Sequence, residues 1–247
     1  MKRLIALVLS SVLYIFCSDE KLTNPILLPI DEATIGVKSK IFYPSLESNQ
    51  ILNIEYFEYE FCRLQKKIYY SENRVVITNY ELFNYDDNGK LLYKLNYHNN
   101  INSPTGFILL DSTSYMYSGN LLVAEKKSYP YSDYYEKYIY EYEGKYLFKK
   151  SKYYKEELYS YTTYEYKNNK VHLELNYSKD NRITESKEYK YYYAALIEAV
   201  YYNFRNEAKR RIKYSYNEKG KLVLEKVEEL FDFSSSLPYV VRYEYWI

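Results

Sequence analysis

Two histidines, His98 and His172, and two cysteines, Cys17 and Cys62, are the only imidazoles and thiols in the 247 residues. His98 falls in HNNINSPTG, which reads as a loop, and His172 in NNKVHLELNY, which reads as mid-strand. An imidazole acts as a base or ligand when a second group orients it. Neither histidine has such a group at metal-ligand spacing. The 33 Asp and Glu leave room for a carboxylate pair assembled in space, but spacing singles none out. The sequence carries no G-x-G-x-x-G, P-loop, G-x-S-x-G or H-E-x-x-H motif. The expectation is no catalytic residue, no metal and no cofactor, with a secreted enzyme of unrecognised site as an alternative. Cys62, in IEYFEYEFCRL, reads as a buried free thiol. The abundant chemistry is that of 38 tyrosines. A tyrosine ring buries apolar area and can stack, while its hydroxyl stays bonded or wet.

Strands must position those rings. In YIYEYEGKYLFKK, Tyr138, Tyr140 and Tyr142 alternate, so a strand puts all three on one face and Ile139 and Glu141 on the other. Glu143-Gly144 supplies the turn, because glycine tolerates the positive φ of a tight hairpin. The same phrase recurs: Tyr85 before DDNGKLL, Tyr117 before SGNLL, Tyr166 before KNNKV and Tyr216 before NEKGKL. Tyr142 to Tyr166 is 24 residues, and Tyr166 to Tyr191 and Tyr191 to Tyr216 are 25 each. Lesser turns lie between, at residues 155–157, 178–182 and 205–208, so each period holds two strands. This predicts an all-β chain: a long antiparallel meander of β-hairpin repeats, about fourteen strands, forming an open, twisted or curled sheet, in its simplest form a single layer.

One segment sets two signals against each other. Residues 194–211 are rich in good helix formers, and Leu196, Val200, Phe204 and Ala208 recur every four residues. The repeat register instead makes residues 196–204 a strand, 205–208 a turn and 209–216 the return strand. The register is the expectation adopted, because a helix would leave neighbouring strand edges unpaired.

The N-terminus reads as an export signal. Met1-Lys2-Arg3 is basic and residues 4–16 are an apolar run, too short for a membrane helix. Cys17 closes the run ahead of Ser18-Asp19-Glu20-Lys21, and this resembles a bacterial lipoprotein signal. Tyr14 and Phe16 stand where that family has leucine and a small residue. The resemblance implies residues 1–16 as signal peptide, lipid attachment at Cys17 and a membrane partner reached through the anchor. Ordinary secretion and an uncleaved anchor are the alternatives. Asp19 and Glu20 are similar to the surface-export signals of some Bacteroidetes lipoproteins. Residues 17–48, with Pro25, Pro29 and Pro44, read as a tether with a short strand at 41–43, and residues 49–247 as the tyrosine-rich repeat domain.

YDDNGKLL at 85–92 and YNEKGKL at 216–222 resemble the YD repeats of bacterial Rhs-type surface proteins. That resemblance implies curved hairpin sheets or shells. The composition is also similar to the single-layer sheets of spirochaete outer-surface lipoproteins. Lys and Arg number 34 against 33 Asp and Glu, a balance that argues against nucleic acid as a partner. Two non-catalytic functions follow. The first is a lipid-anchored surface or periplasmic binding or structural module, with a glycan or protein as ligand. The alternative is a transmembrane outer-membrane β-barrel. Tyr243, Tyr245 and Ile247 favour the barrel by alternating to the chain's end, and charges on both strand faces weigh against it.

Overall fold

The structure is a computed structural model that describes residues 37–60, 63–71, 76–230 and 238–245; Cys17, Cys62 and Ile247 lie outside them. Among the described residues the chain forms sixteen strands: β1 (Val37–Tyr43), β2 (Asn53–Glu60), β3 (Arg63–Tyr70), β4 (Ile77–Tyr85), β5 (Leu91–Asn99), β6 (Phe107–Ser118), β7 (Leu121–Ser128), β8 (Tyr135–Glu143), β9 (Tyr146–Tyr154), β10 (Glu157–Lys167), β11 (Lys170–Ser178), β12 (Ile183–Tyr192), β13 (Ala195–Asn203), β14 (Ala208–Tyr216), β15 (Leu222–Glu229) and β16 (Tyr239–Tyr245). Each pairs antiparallel with its sequence neighbours, as the meander predicts. His98 belongs to β5 and not to a loop.

The open sheet is overturned. β1 pairs with both β2 and β16, so the meander closes into a barrel with no free edge. Ser39 faces Glu244 and Ile41 faces Arg242 across the seam, and the Ser39 hydroxyl donates to Glu244 Oε2 at 2.6 Å. The physical reason is the edge itself. An open sheet would end in two rows of unpaired N–H and C=O groups, and closure removes both. The closing strand comes from the segment read as a tether, where only residues 41–43 were expected as strand.

Residues 194–211 follow the repeat register. β13 pairs with β12 from Ala195 to Asn203, and with β14 through Glu198↔Lys213 and Tyr202↔Ala208. Leu196 is buried while Phe204 sits exposed in the turn, so the four-residue spacing draws no single stripe.

The two ends of the barrel differ. At one end the described connections run from two to five residues and include the tight turns Gly119-Asn120, Gly144-Lys145 and Asn168-Asn169, the last with φ of 54° and 62° at its two positions. Two positive φ values in a two-residue loop are the turn whose twist matches the flanking strands, and asparagine tolerates them. Val37 and Tyr245 pair at this same end. At the opposite end the connections include the longer segments 44–52, 100–106 and 129–134.

Strand alternation separates an inner from an outer face. Val37, Phe57, Tyr189, Leu196, Tyr214, Leu222 and Tyr243 share one face and gather into one buried cluster; that face is the inside. Across the ladder Tyr189 lies opposite Ala199, Ala199 opposite Ile212 and Ile212 opposite Val227, all inward. Lys190, Glu198 and Lys213 occupy the alternate positions and face out.

Candidate functional site

The even strands, β2 to β16, each approach the tight-turn end with an aromatic, one residue, and a tyrosine: FEY, FNY, YMY, YEY, YEY, YKY, YSY and YEY. Both aromatics point inward, since they are two residues apart. The odd strands open with aliphatic residues: Val37, Leu64, Leu91, Leu122, Leu147, Val171, Leu196 and Leu222. A bulge one step in, as between Tyr191/Leu196 and Lys190/Glu198, turns the opener inward beneath the tyrosine.

In seven of the eight, from β4 to β16, the last tyrosine then hydrogen-bonds the backbone of the strand before it. Tyr85 donates to Leu64 O at 2.9 Å, Tyr142 to Leu122 O at 2.9 Å and Tyr166 to Leu147 O at 3.0 Å. Tyr191 donates to Val171 O at 3.0 Å, Tyr216 to Leu196 O at 2.7 Å and Tyr245 to Leu222 O at 2.8 Å. The Tyr117 hydroxyl meets the Leu91 backbone. These bonds join strands at the end where no turn connects them, so they staple one tight hairpin to the next. Removing one hydroxyl should cost about 0.5–1.5 kcal/mol. Tyr166→Phe is therefore expected to lower the denaturant midpoint, while Tyr131→Phe, at a fully exposed ring, leaves it unchanged. Equal midpoints for the two would show that the staple contributes nothing.

The layer below, two residues earlier on each strand, contains Phe57, Tyr140, Tyr189, Tyr214 and Tyr243, all buried. Tyr140 donates to Glu125 at 2.7 Å, and Tyr189 and Tyr243 donate to Glu174 and Glu225. Lys150 lies 5.0 Å from the Tyr140 ring and Lys187 4.5 Å from that of Tyr189. Deeper inside, toward the long-loop end, come ion pairs: Lys67–Glu55 at 3.0 Å, Lys94–Glu81 at 2.9 Å, Lys127–Asp111 at 3.1 Å and Lys152–Glu136 at 3.2 Å. The inner wall thus grades from aromatic to ionic.

Among the described residues these groups are engaged with one another. The staple hydroxyls are spent on carbonyls, and the lower ones on carboxylates. His98 Nδ1 lies 2.7 Å from Asn79 Oδ1 on the neighbouring strand. His172 is exposed on β11, far in sequence from that pair. Among the described residues no group of three or more His, Cys, Asp or Glu could hold a metal ion. The arrangement can hold shape and offer aromatic and paired ionic surface to a ligand. Sequence reading found six of the eight tyrosine ends, Tyr85, Tyr117, Tyr142, Tyr166, Tyr191 and Tyr216, and missed the layer beneath. Its signal was the aromatic two residues earlier, present in all eight copies.

No family model matches the chain, and no curated protein matches it. Among solved structures it resembles a porin-like protein from Bacteroides uniformis, with a TM-score of 0.55 at 9% identity, covering 85% of this chain and 98% of that one. A porin-like protein from Bacteroides vulgatus aligns over 85% of this chain and 98% of its own, with a TM-score of 0.33 at 9% identity. The TcdB2-TccC3 complex aligns with a TM-score of 0.31 at 11% identity, over 83% of this chain and 16% of that one. The first of these likenesses is one of fold. A closed sixteen-stranded barrel of this kind supports the expectation of an outer-membrane β-barrel better than that of a lipoprotein module.

Proposed function

We propose that this protein is a non-catalytic outer-membrane β-barrel of porin-like build. The observation that carries the reading is closure: sixteen antiparallel strands with every edge paired. Inside a bilayer each backbone polar group needs a partner within the protein, and a closed barrel supplies all of them. The number is even, both barrel termini lie at one end, and the longer connections 44–52, 100–106 and 129–134 lie at the other, as in outer-membrane barrels. Most strands have eight to twelve residues, close to the about 9–11 of tilted spans. On the outer face Tyr80 stacks on Tyr97 with ring centroids 4.7 Å apart.

A second reading rests on the charges of the outer face. Lys190–Glu198 at 2.6 Å, Lys213–Glu228 at 3.3 Å, Lys226–Glu228 at 3.1 Å and Lys149–Glu141 at 3.3 Å are outward ion pairs. A lysine facing lipid at mid-depth costs about 2–4 kcal/mol. Those pairs suit water, and would make the chain a solvated barrel held at the membrane by lipid on Cys17.

Fractionation separates the two readings. A chain beginning at residue 18 and exported by an unrelated leader should stay with outer membranes through alkaline carbonate and need detergent to dissolve. A monodisperse, detergent-free protein would reject the first reading in favour of the second.

A further inference from the structure

At the long-loop mouth of the barrel the inner wall ends in four tyrosines from two strands and one loop. Tyr129 and Tyr134 belong to the segment between β7 and β8, Tyr154 ends β9, and Tyr159 is the residue bulged out between Leu158 and Ser160 on β10. Their rings form a continuous line, with centroids 5.5 Å apart for Tyr129–Tyr134, 5.6 Å for Tyr134–Tyr154 and 4.5 Å for Tyr154–Tyr159. Tyr134 is 39% exposed and Tyr159 54%, while Tyr129 and Tyr154 are half-buried and brace them. A bulge commonly re-aims a side chain next to a functional site, and here it brings Tyr159 onto the Tyr154 ring.

The floor beneath is polar and built. Glu136 accepts from the Tyr138 hydroxyl at 2.9 Å and from Tyr129 at 3.4 Å, and pairs with Lys152. Lys152 lies 4.7 Å from the Tyr154 ring and 5.7 Å from Tyr159, and Lys127 lies 5.4 Å from Tyr129. Lys127 pairs with Asp111. Two carboxylates and two ammonium groups therefore cancel, which leaves no net charge to attract an ionic ligand. The Tyr134 amide donates to the Ser132 hydroxyl at 3.0 Å, fixing the loop. At its tip Tyr131 is fully exposed at a φ of 62°, a conformation rare for an aromatic residue and common where backbone strain serves a site.

We propose that this tyrosine line is a binding platform for a neutral polysaccharide. A pyranose presents a face of C–H groups that stacks on a phenol ring, and a rim of hydroxyls that hydrogen-bonds carboxylates, ammonium groups and phenols alike. Successive sugars along a glycan meet successive rings along the line. A platform that is charge-neutral overall discriminates against acidic glycans. The proposal goes beyond the outer-membrane reading and holds for a solvated barrel equally, because it rests on the exposed Tyr134 and Tyr159 rings, which belong to both.

Affinity electrophoresis of the folded full chain tests it, in gels containing a soluble α-1,4-glucan, β-1,4-glucan, xylan or mannan, with polygalacturonate as the acidic comparison. At least one neutral polymer should retard the protein. Tyr134→Ala/Tyr159→Ala should weaken that binding by about tenfold or more, since two stacking surfaces are lost. Tyr134→Phe/Tyr159→Phe, which keeps the rings, should bind like the parent. Tyr192→Ala/Tyr193→Ala, at an exposed ring pair in a tight turn, should also bind like the parent. An unfolding transition matching the parent's verifies each variant's fold. No retardation by any neutral polymer, retardation by polygalacturonate alone, or undiminished binding in the Tyr134→Ala/Tyr159→Ala chain would overturn the proposal.

Discussion

A chain beginning at Pro44, exported by a substitute leader, is expected to yield no stable barrel. That cut removes β1, which pairs on one side with β2 and on the other with β16. Val37 is 1% exposed and Ile41 is also buried. Burying each contributes about 1.5–3 kcal/mol, against a total stability of about 5–15 kcal/mol for a typical domain. The loss does not stop there, because β2 and β16 become free edges with unpaired backbone groups and turn into templates for aggregation. Limited proteolysis with hydrogen exchange is the measurement. Native-like protection of β2 and β16 in the shortened chain would show that the closing strand is dispensable, and that the meander is stable as an open sheet.

Leu196→Ala is expected to destabilise the barrel by about 2–5 kcal/mol, the range for a large-to-small change in a packed interior. Leu196 is 1% exposed and lies under the Tyr216 ring, whose hydroxyl holds the Leu196 carbonyl. The carbonyl survives the substitution, so the loss measures packing rather than the staple. The next residue supplies the control. Ile197 is 40% exposed at the bulge, and its truncation should stay within about 0.5 kcal/mol. Denaturant midpoints for the two variants decide the matter. Comparable losses at both positions would mean that the bulge does not direct Leu196 inward.

The two substitutions also show where sequence periodicity misleads. Leu196, Val200, Phe204 and Ala208 have helical spacing, yet the barrel places them inward, outward, in a turn and on the next strand. Helix propensities differ by tenths of a kcal/mol per residue, and a strand paired on both sides outweighs them. The tyrosine phrase was the better guide because it reports pairing. Its aromatic end, polar turn and aliphatic opener are the three parts of one hairpin end, with Tyr216, residues 217–221 and Leu222 as an example; Tyr216 then bonds back to Leu196 O, and Leu222 O accepts from Tyr245.

Local chemistry in the sequence determined the strands, the hairpins and their antiparallel order. Alternation in YIYEYE sets which residues share a face, and Asn168-Asn169 or Gly144 sets where the chain reverses. Each of these acts over a few residues, so each is legible without a partner. Closure was not. β1 and β16 lie at opposite ends of the described chain, and nothing in VKSKIFY names YVVRYEY as its neighbour. Whether a meander closes depends on twist and stagger accumulated over every strand, a sum that no single repeat contains. The choice of inner face was equally hidden, because charged residues occupy both faces of β12, β14 and β15. Only the closed barrel separated Lys152 and Glu136 at the mouth from Lys190 and Glu198 outside, and brought Tyr129, Tyr134, Tyr154 and Tyr159 into one line.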